Sequence, residues 1–424
     1  MLDIKFIREN ADLVKEAIKN RGLKLDIGEV VTLDEEKRKL LVEVEGLKAE
    51  RNKANDEISA LMKAKKNAKE IIDKMKVVSQ KIGDLDKKVG EIDQKLTNYA
   101  YTIPNIPDKS VPIGSPEANK TVKSWGKNPV FDFKPRNHME LAELLGIISF
   151  GIAAKITGSN FVLYMGLGAR LERALINFML DLHTKKHGYK EIFPPFLVNR
   201  RSMTGTGQLP KLEEDMYKLK DDDLFLIPTA EVPVTNIHAS DVLDEEKLPI
   251  YYTAYTACFR REAGSYGKDT KGLIRVHQFN KVEMVKFVKP ETSFDELEKL
   301  LSDAEEVLQL LNLPYRVKLL ATGDMSFAAA KCYDIELYSA GADAYLEVSS
   351  CSNFTDFQAR RANIRYKQKE PKKIAFVHTL NGSGVALARL VVAILENYQN
   401  KDGSVNVPEA LVPYMDGIKV ITPG

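Results

Sequence analysis

Apolar positions along the first hundred residues fall at helical intervals. Ile4, Ile7, Leu13, Val14, Ala17 and Ile18 lie on one face of a predicted amphipathic helix that Gly22 stops. From Leu33 the pattern narrows to a seam of Leu33, Leu40, Val44, Leu47, Arg51, Ala54, Ile58 and Leu61, in steps of three and four after Leu40. A second seam follows in Ile71, Met75, Val78, Ile82, Leu85, Val89, Ile92 and Leu96. Such spacing, held over about three heptads, predicts two helices packed along a narrow stripe. Near-equal lengths and a short connection make an antiparallel hairpin over about residues 33–98 the economical arrangement. At ~1.5 Å per residue a helix of about thirty residues runs ~45 Å, so the hairpin is expected to project as an arm.

Its tip is basic: Lys63, Lys65, Lys66, Lys69, Lys74 and Lys76 face only Glu70 and Asp73. That charge suits a phosphate backbone contacted by shape rather than base sequence. A solvated tip, on a hairpin that packs against another protein, has the same composition. The text from Ile103 to Pro116, IPNIPDKSVPIGSP, is rich in proline and lacks periodicity. It divides the chain into an expected N-terminal domain, residues 1–103, and a second domain, residues 104–424.

The second part mixes helical and strand patterns without regular alternation, which points to an α+β fold: an antiparallel sheet flanked by helices. Its most informative stretch is Thr253 to Val288, read as two strands around a glycine-containing basic loop. Residues two apart in a strand share a face. Arg260 and Glu262 are therefore expected to point together near the end of the first strand, and His277, Phe279, Lys281 and Glu283 together on the second. Such convergence is expensive unless a polar ligand meets it, although cross-strand ion pairs on a solvated hairpin are the plainer alternative. Gly264 and Gly267 enclose two residues and precede a strand, so GSYGK is not a Walker loop. Lys268, Lys271 and Arg275 nonetheless favour an anionic partner.

Elsewhere a helix over about Ala169–His187 ends at Gly188, and Pro194 and Pro195 close the strand after it. Thr229 and Glu231 stand at a proline-flanked bend suited to a small ligand's amine. Glu347, followed by Ser349 and Ser350, suits a magnesium ligand with hydroxyl support, or simply an exposed strand edge. Asn381-Gly382-Ser383-Gly384 leads into an apolar helix containing Arg389, where a buried arginine calls for an anion such as phosphate.

Composition narrows the partners little. Lys+Arg 62 against Asp+Glu 60 gives a net charge of +2 over 424 residues, so any nucleic-acid contact must come from local patches. With 44% hydrophobic content the chain can bury a large core and is expected to form two or three domains. Cys258, Cys332 and Cys351 form no CxxC pair and read as buried small hydrophobes in a reducing compartment. No apolar run approaches the ~20 residues of a membrane span. MLDIKFIREN lacks the core of a signal peptide, so a cytoplasmic protein is expected.

Taken together these stretches resemble the class II aminoacyl-tRNA synthetases, and among them the bacterial-type seryl enzymes, over nearly the whole chain. Gly188-Tyr189 through Ile192 to Pro195-Phe196-Leu197 is similar to motif 1 of that family. Phe259-Arg260-Arg261-Glu262 with Arg275 to Phe279 is similar to motif 2, and Gly384-Val385-Ala386-Leu387-Ala388-Arg389 to motif 3. One departure is Ala388, where seryl enzymes often carry glycine.

The resemblance implies a homodimer built on motif 1 and a two-step reaction. The serine carboxylate attacks the α-phosphorus of ATP and releases pyrophosphate; the seryl group then passes to the terminal adenosine of tRNA(Ser), and of tRNA(Sec) where one exists. It implies catalytic roles for Arg260, Glu262 and Arg389. ATP would be held by these with Arg261, Val276, Phe279, Glu347, Val348, Ser349 and Ser350, and Mg2+ by Glu347 and Ser350. Serine would meet Thr229, Ala230, Glu231, Arg260, Glu283, Asn381 and Ser383, and tRNA the arm lysines Lys63, Lys65, Lys66 and Lys69.

Overall fold

The computed structural model describes residues 1–262 and 272–423, so Lys268 and Lys271 of the basic loop lie outside the described residues. Contacts divide the chain into two compact units. One comprises Leu2–Lys19 and Leu23–Pro104; the other comprises Met1, Asn20–Gly22 and the chain from Asn105 onward. Residues 20–22 belong with the second unit because Arg21 is buried there, its Nε 3.0 Å from the Asn105 carbonyl and its Nη1 3.1 Å from that of Ser326.

In the first unit the expected initial helix is two, α1 (Ile4–Glu9) and α2 (Ala11–Asn20). The break falls at Asn10, whose backbone and side-chain N–H groups both donate to the Phe6 carbonyl and close α1. The long helices are α3 (Gly28–Lys63) and α4 (Lys69–Ala100). Their seam is the one predicted: Val44 and Ala54 on α3, and Met75, Val78, Ile82, Leu85, Ile92 and Leu96 on α4, are buried. Arg51 occupies its apolar-register position half-buried. Across the seam Lys37 meets Asp93 at 2.5 Å and Glu50 meets Lys74 at 2.7 Å, an antiparallel order. Exposed ion pairs of this kind contribute ~0–1 kcal/mol each, so the apolar stripe supplies most of the cohesion.

The second unit is built on an eight-stranded sheet: β1 (Lys120–Trp125), β2 (Lys190–Glu191), β3 (Ile250–Phe259), β4 (Gln278–Val288), β5 (Tyr315–Leu319), β6 (Lys331–Ser339), β7 (Ala344–Asn353) and β8 (His378–Ala386). The spatial order is β1-β5-β6-β7-β8-β4-β3-β2. Every neighbouring pair is antiparallel except β2 with β3. The helices that position the site are α5 (His138–Leu145), α6 (Gly166–Lys185), α7 (Ser293–Leu310) and α8 (Leu387–Asn397). Apolar on nearly every side, α8 is buried along its length, and Arg389 and Glu396 are its only charged residues.

Among the described residues no helix is long and apolar enough to cross a membrane.

Candidate active site

The sheet's centre builds the site by register. On β4, Phe279, Lys281 and Glu283 share a face; β3 places Ala254 opposite Glu283, and β8 places Ser383 opposite it on the other side. A bulge after Ser383 shifts the β8 register, and Gly384 sits at that irregularity. There a Cβ would fall 2.6 Å from His183 Nε2 of α6, so glycine is required by close packing with a helix rather than by a ligand.

Above this floor lies a cavity of about 750 Å³. Its walls bring together Thr229, Glu231, Arg260, Glu262, Val276, Phe279, Glu347, Val348, Ser349, Ser350, Asn381, Ser383 and Arg389. Three expected residues are not on the wall. Ala230 is buried in a separate apolar cluster, and Glu283 is 1% exposed beneath the surface. The Arg261 side chain is exposed, while its backbone N–H donates to the Asp215 carbonyl.

One end of the cavity is a buried carboxylate network. Glu283 Oε1 accepts from Asn381 Nδ2 at 3.0 Å; Oε2 takes the Lys281 ammonium at 2.6 Å and the Thr229 hydroxyl at 3.3 Å. Lys281 Nζ also donates to Thr229 Oγ1 at 2.9 Å. Glu231 accepts from Gln358 Nε2 at 2.6 Å, and Gln358 is oriented by the Thr379 hydroxyl on its carbonyl oxygen. Burial, reinforced by the charge of Glu283, pushes Glu231 up to about 7 despite the bond from Gln358. Lys281 and Gln358 escaped the sequence reading of site residues. Lys281 lay on the predicted face with Glu283, whereas nothing local marks Gln358, which reaches Glu231 across 127 residues.

The other end is basic and aromatic. The strand β3 stops at Phe259, and Glu262 has φ 50°, so Arg260 and Glu262 do not share a strand face as expected. They reach the cavity separately. Arg260 lies over the Phe279 ring, 5.2 Å from its centroid, with Nε 3.3 Å from the Pro228 carbonyl. Glu262 pairs with Arg275 at 2.7 Å.

The expectation of a buried Arg389 also needs correction. Its side chain is 29% exposed and donates to the carbonyls of Glu347 at 2.6 Å and Ile274 at 3.2 Å. A residue on an otherwise buried helix can face a cavity, and this one does. The hydroxyl of Ser349 is turned to the Ser383 carbonyl at 2.6 Å, linking β7 to β8.

Beside Ser350 lies Asp334, opposite it in the β6–β7 register and hydrogen-bonded to it. Burial and the charge of Glu347 push its carboxyl well above the usual range. Among the described residues no group of three or more His, Cys, Asp or Glu is arranged to hold a metal ion. Mg2+ needs no such group, since it takes one or two carboxylates and leaves its other positions to water and phosphate. Glu347 and Ser350 are hard oxygen donors on one wall, and they fit that demand.

Comparison with known proteins agrees with this geometry. Residues 1–107 match the seryl-tRNA synthetase N-terminal domain, and residues 216–398 the class II tRNA synthetase core domain (G, H, P, S and T). A serine–tRNA ligase of Caldanaerobacter subterraneus subsp. tengcongensis is 60% identical over 416 residues, 98% of each chain. One from Geotalea uraniireducens is 57% identical over 99% of this chain and 100% of the relative. Among solved structures, seryl-tRNA synthetase from Pyrococcus horikoshii complexed with ATP matches over 100% of both chains with a TM-score of 0.93 and 40% identity. With identity of this level end to end, the chain belongs to the seryl-tRNA synthetase family of the class II aminoacyl-tRNA synthetases, the serine–tRNA ligases.

Proposed function

We propose that the cavity performs the serine–tRNA ligase reaction with serine at its carboxylate end and ATP at its basic, aromatic end. The observation that carries this division is that Glu231 and Arg260 line the same cavity, with a second buried carboxylate, Glu283, close beneath its surface. An amino acid zwitterion needs that arrangement. Its ammonium meets Glu231 and Thr229, its carboxylate meets the Arg260 fork, and its hydroxyl lies between Glu283 and Ser383. Alanine lacks the hydroxyl and forfeits the hydrogen bonds that serine would add at this end, and it is rejected for that reason.

Phe279 stacks on adenine, while Glu262 and the backbone at Val276 orient it. Arg260 bridges the serine carboxylate and the α-phosphate, placing the attacking oxygen in line with the departing pyrophosphate, and Arg389 faces the γ-phosphate. Positioning and charge neutralisation do most of the work in such displacements. Mg2+, held by Glu347 and Ser350, would neutralise phosphate charge. In the second step the terminal hydroxyl of tRNA attacks the seryl carbonyl and AMP leaves.

Lys63, Lys65, Lys66 and Lys69, exposed at the α3–α4 turn, bind the tRNA backbone, so residues 1–103 act as the tRNA-binding domain and residues 104–424 as the catalytic domain. The resemblance to the class II synthetases also implies a homodimer through motif 1. The cytoplasm is the compartment that fits the substrates, and tRNA(Sec) is served where the host makes it.

ATP–pyrophosphate exchange across a panel of amino acids tests the reading. Serine alone should drive exchange; a different preferred amino acid would overturn the pocket assignment.

A further inference from the structure

Helix α8 carries two charged residues, and both reach the short segment that follows the motif 2 loop. Arg389 does so directly, through the Ile274 carbonyl at 3.2 Å. Glu396, two turns further along the same helix, does so through a histidine. His138 Nδ1 lies 2.9 Å from Glu396 Oε1, and the Leu273 backbone N–H donates to His138 Nε2 at 3.2 Å. His138 is 4% exposed and Glu396 1%.

The partners dictate the tautomer. A carboxylate only accepts, so Nδ1 carries the proton; a backbone N–H only donates, so Nε2 offers its lone pair. The carboxylate is itself immobilised, accepting also from the His138 backbone N–H at 2.8 Å, the Gly341 N–H at 2.9 Å and the Ser339 hydroxyl. Burial alone would raise Glu396, but the bonds from His138 and Ser339 outweigh it and hold the group below its usual value.

The histidine is equally fixed. It is the first residue of α5, after a capping box in which Asn137 accepts from the N–H groups of Met139 and Glu140 while Glu140 accepts from the Asn137 N–H. Next to Leu273, Gly272 has φ 69°, and a Cβ there would fall 2.3 Å from His138 Nε2. The backbone is drawn down onto the imidazole, and Leu273, Ile274, Arg275 and Val276, all on the cavity wall, follow immediately.

We infer that His138 is a positioning residue for the nucleotide half of the cavity, transmitting the rigidity of α8 through Glu396 to the Leu273 amide and so setting the backbone on which ATP rests. This rests on the proposed placement of ATP. The substrate contacts on β4 and β8 are held independently, by Asn381 and Lys281 on Glu283, so the serine end should not feel the change.

The test uses which nitrogen is replaced. In the full-length protein, His138→Gln puts an amide oxygen near the Nε2 position and keeps an acceptor for Leu273. His138→Asn mimics the Nδ1 side, keeps a donor for Glu396 and loses Leu273. In ATP–pyrophosphate exchange with serine, His138→Asn and His138→Ala should raise KM for ATP about tenfold, the equivalent of one hydrogen bond. Both should leave KM for serine within about twofold, and His138→Gln should stay near the parent for both.

Thermal unfolding of each variant shows that it is folded. If folded His138→Gln and His138→Asn shift ATP KM equally, or if both substrates are affected alike, His138 is only structural and the inference fails. If the parent protein instead shows no exchange with serine, the proposed function fails and not this assignment.

Discussion

The cavity and the tip of the helical hairpin both concentrate charge, but they manage it in opposite ways. In the cavity Glu283 is 1% exposed and both its oxygens are bonded, and Lys281 is held between Glu283 and Thr229. At the tip Lys63, Lys65, Lys66 and Lys69 are exposed and form no ion pair among the described residues, whereas their neighbours Lys74 and Lys76 are paired with Glu50 and Asp73. Desolvated charges interact strongly and must be matched atom by atom. Solvated charges act through a field that salt screens within about 8–10 Å. The cavity should therefore respond steeply to single atoms and weakly to salt, and the tip the reverse.

The largest effect should come from Arg260→Ala. Its guanidinium contacts Phe279 and one carbonyl, so the fold should survive while serine-dependent exchange falls about 10³-fold or more. Activity within tenfold of the parent would refute its place between the two substrates. Next, Lys281→Met leaves Glu283 buried beside an apolar chain. Stability should drop by about 3–5 kcal/mol and kcat/KM for serine by about 100-fold. The double change Lys281→Met with Glu283→Gln should restore the melting temperature but not serine activation, which separates the ion pair's structural role from Glu283's recognition of the hydroxyl.

At the tip, changing all four lysines to alanine should lower aminoacylation of tRNA about thirtyfold at low salt, make its salt dependence shallower, and leave exchange untouched. Lost exchange in a folded variant would place those lysines outside tRNA binding. Any one of the four changed alone should cost less than about threefold.

Smaller than the combined change is a pH effect at the cavity. Because Glu231 is raised to about 7, the free protein holds a proton there that the unfolded chain releases near its ordinary value of about 4.3. Its contribution to stability is complete below that ordinary value and is lost as pH rises through about 7. Serine's ammonium binds the ionised form, so KM for serine should fall about tenfold from pH 6 to pH 8. A flat KM profile would mean that Glu231 is already ionised or does not meet the amine.

The same contrast explains how much was legible beforehand. The arm was read almost entirely from residues 33–98, because a 3-4 repeat is local and each turn repeats the instruction of the last. The central hairpin was legible for Phe279, Lys281 and Glu283, because alternate positions on a strand share a face wherever the strand lies. The reading failed where the strand ended. At Arg260 and Glu262 the backbone leaves the pleat, so alternation no longer says where a side chain points. Arg389 misled for another reason: its helix is apolar all round, but one side faces a cavity that periodicity does not register.

By itself, then, the sequence determined the helical hairpin, the α+β class and, through three short motifs in order, the family. All of these depend on patterns that span a few turns or a few alternating positions. Only the tertiary structure decided who holds whom: Gln358 on Glu231, Asp334 beside Ser350, and Glu396 through His138 on Leu273. Those links cross 127, 258 and 135 residues for Gln358–Glu231, His138–Glu396 and His138–Leu273. Hydrogen-bond partners at such separations are chosen by strand register and helix packing, which exist only once the chain has closed on itself.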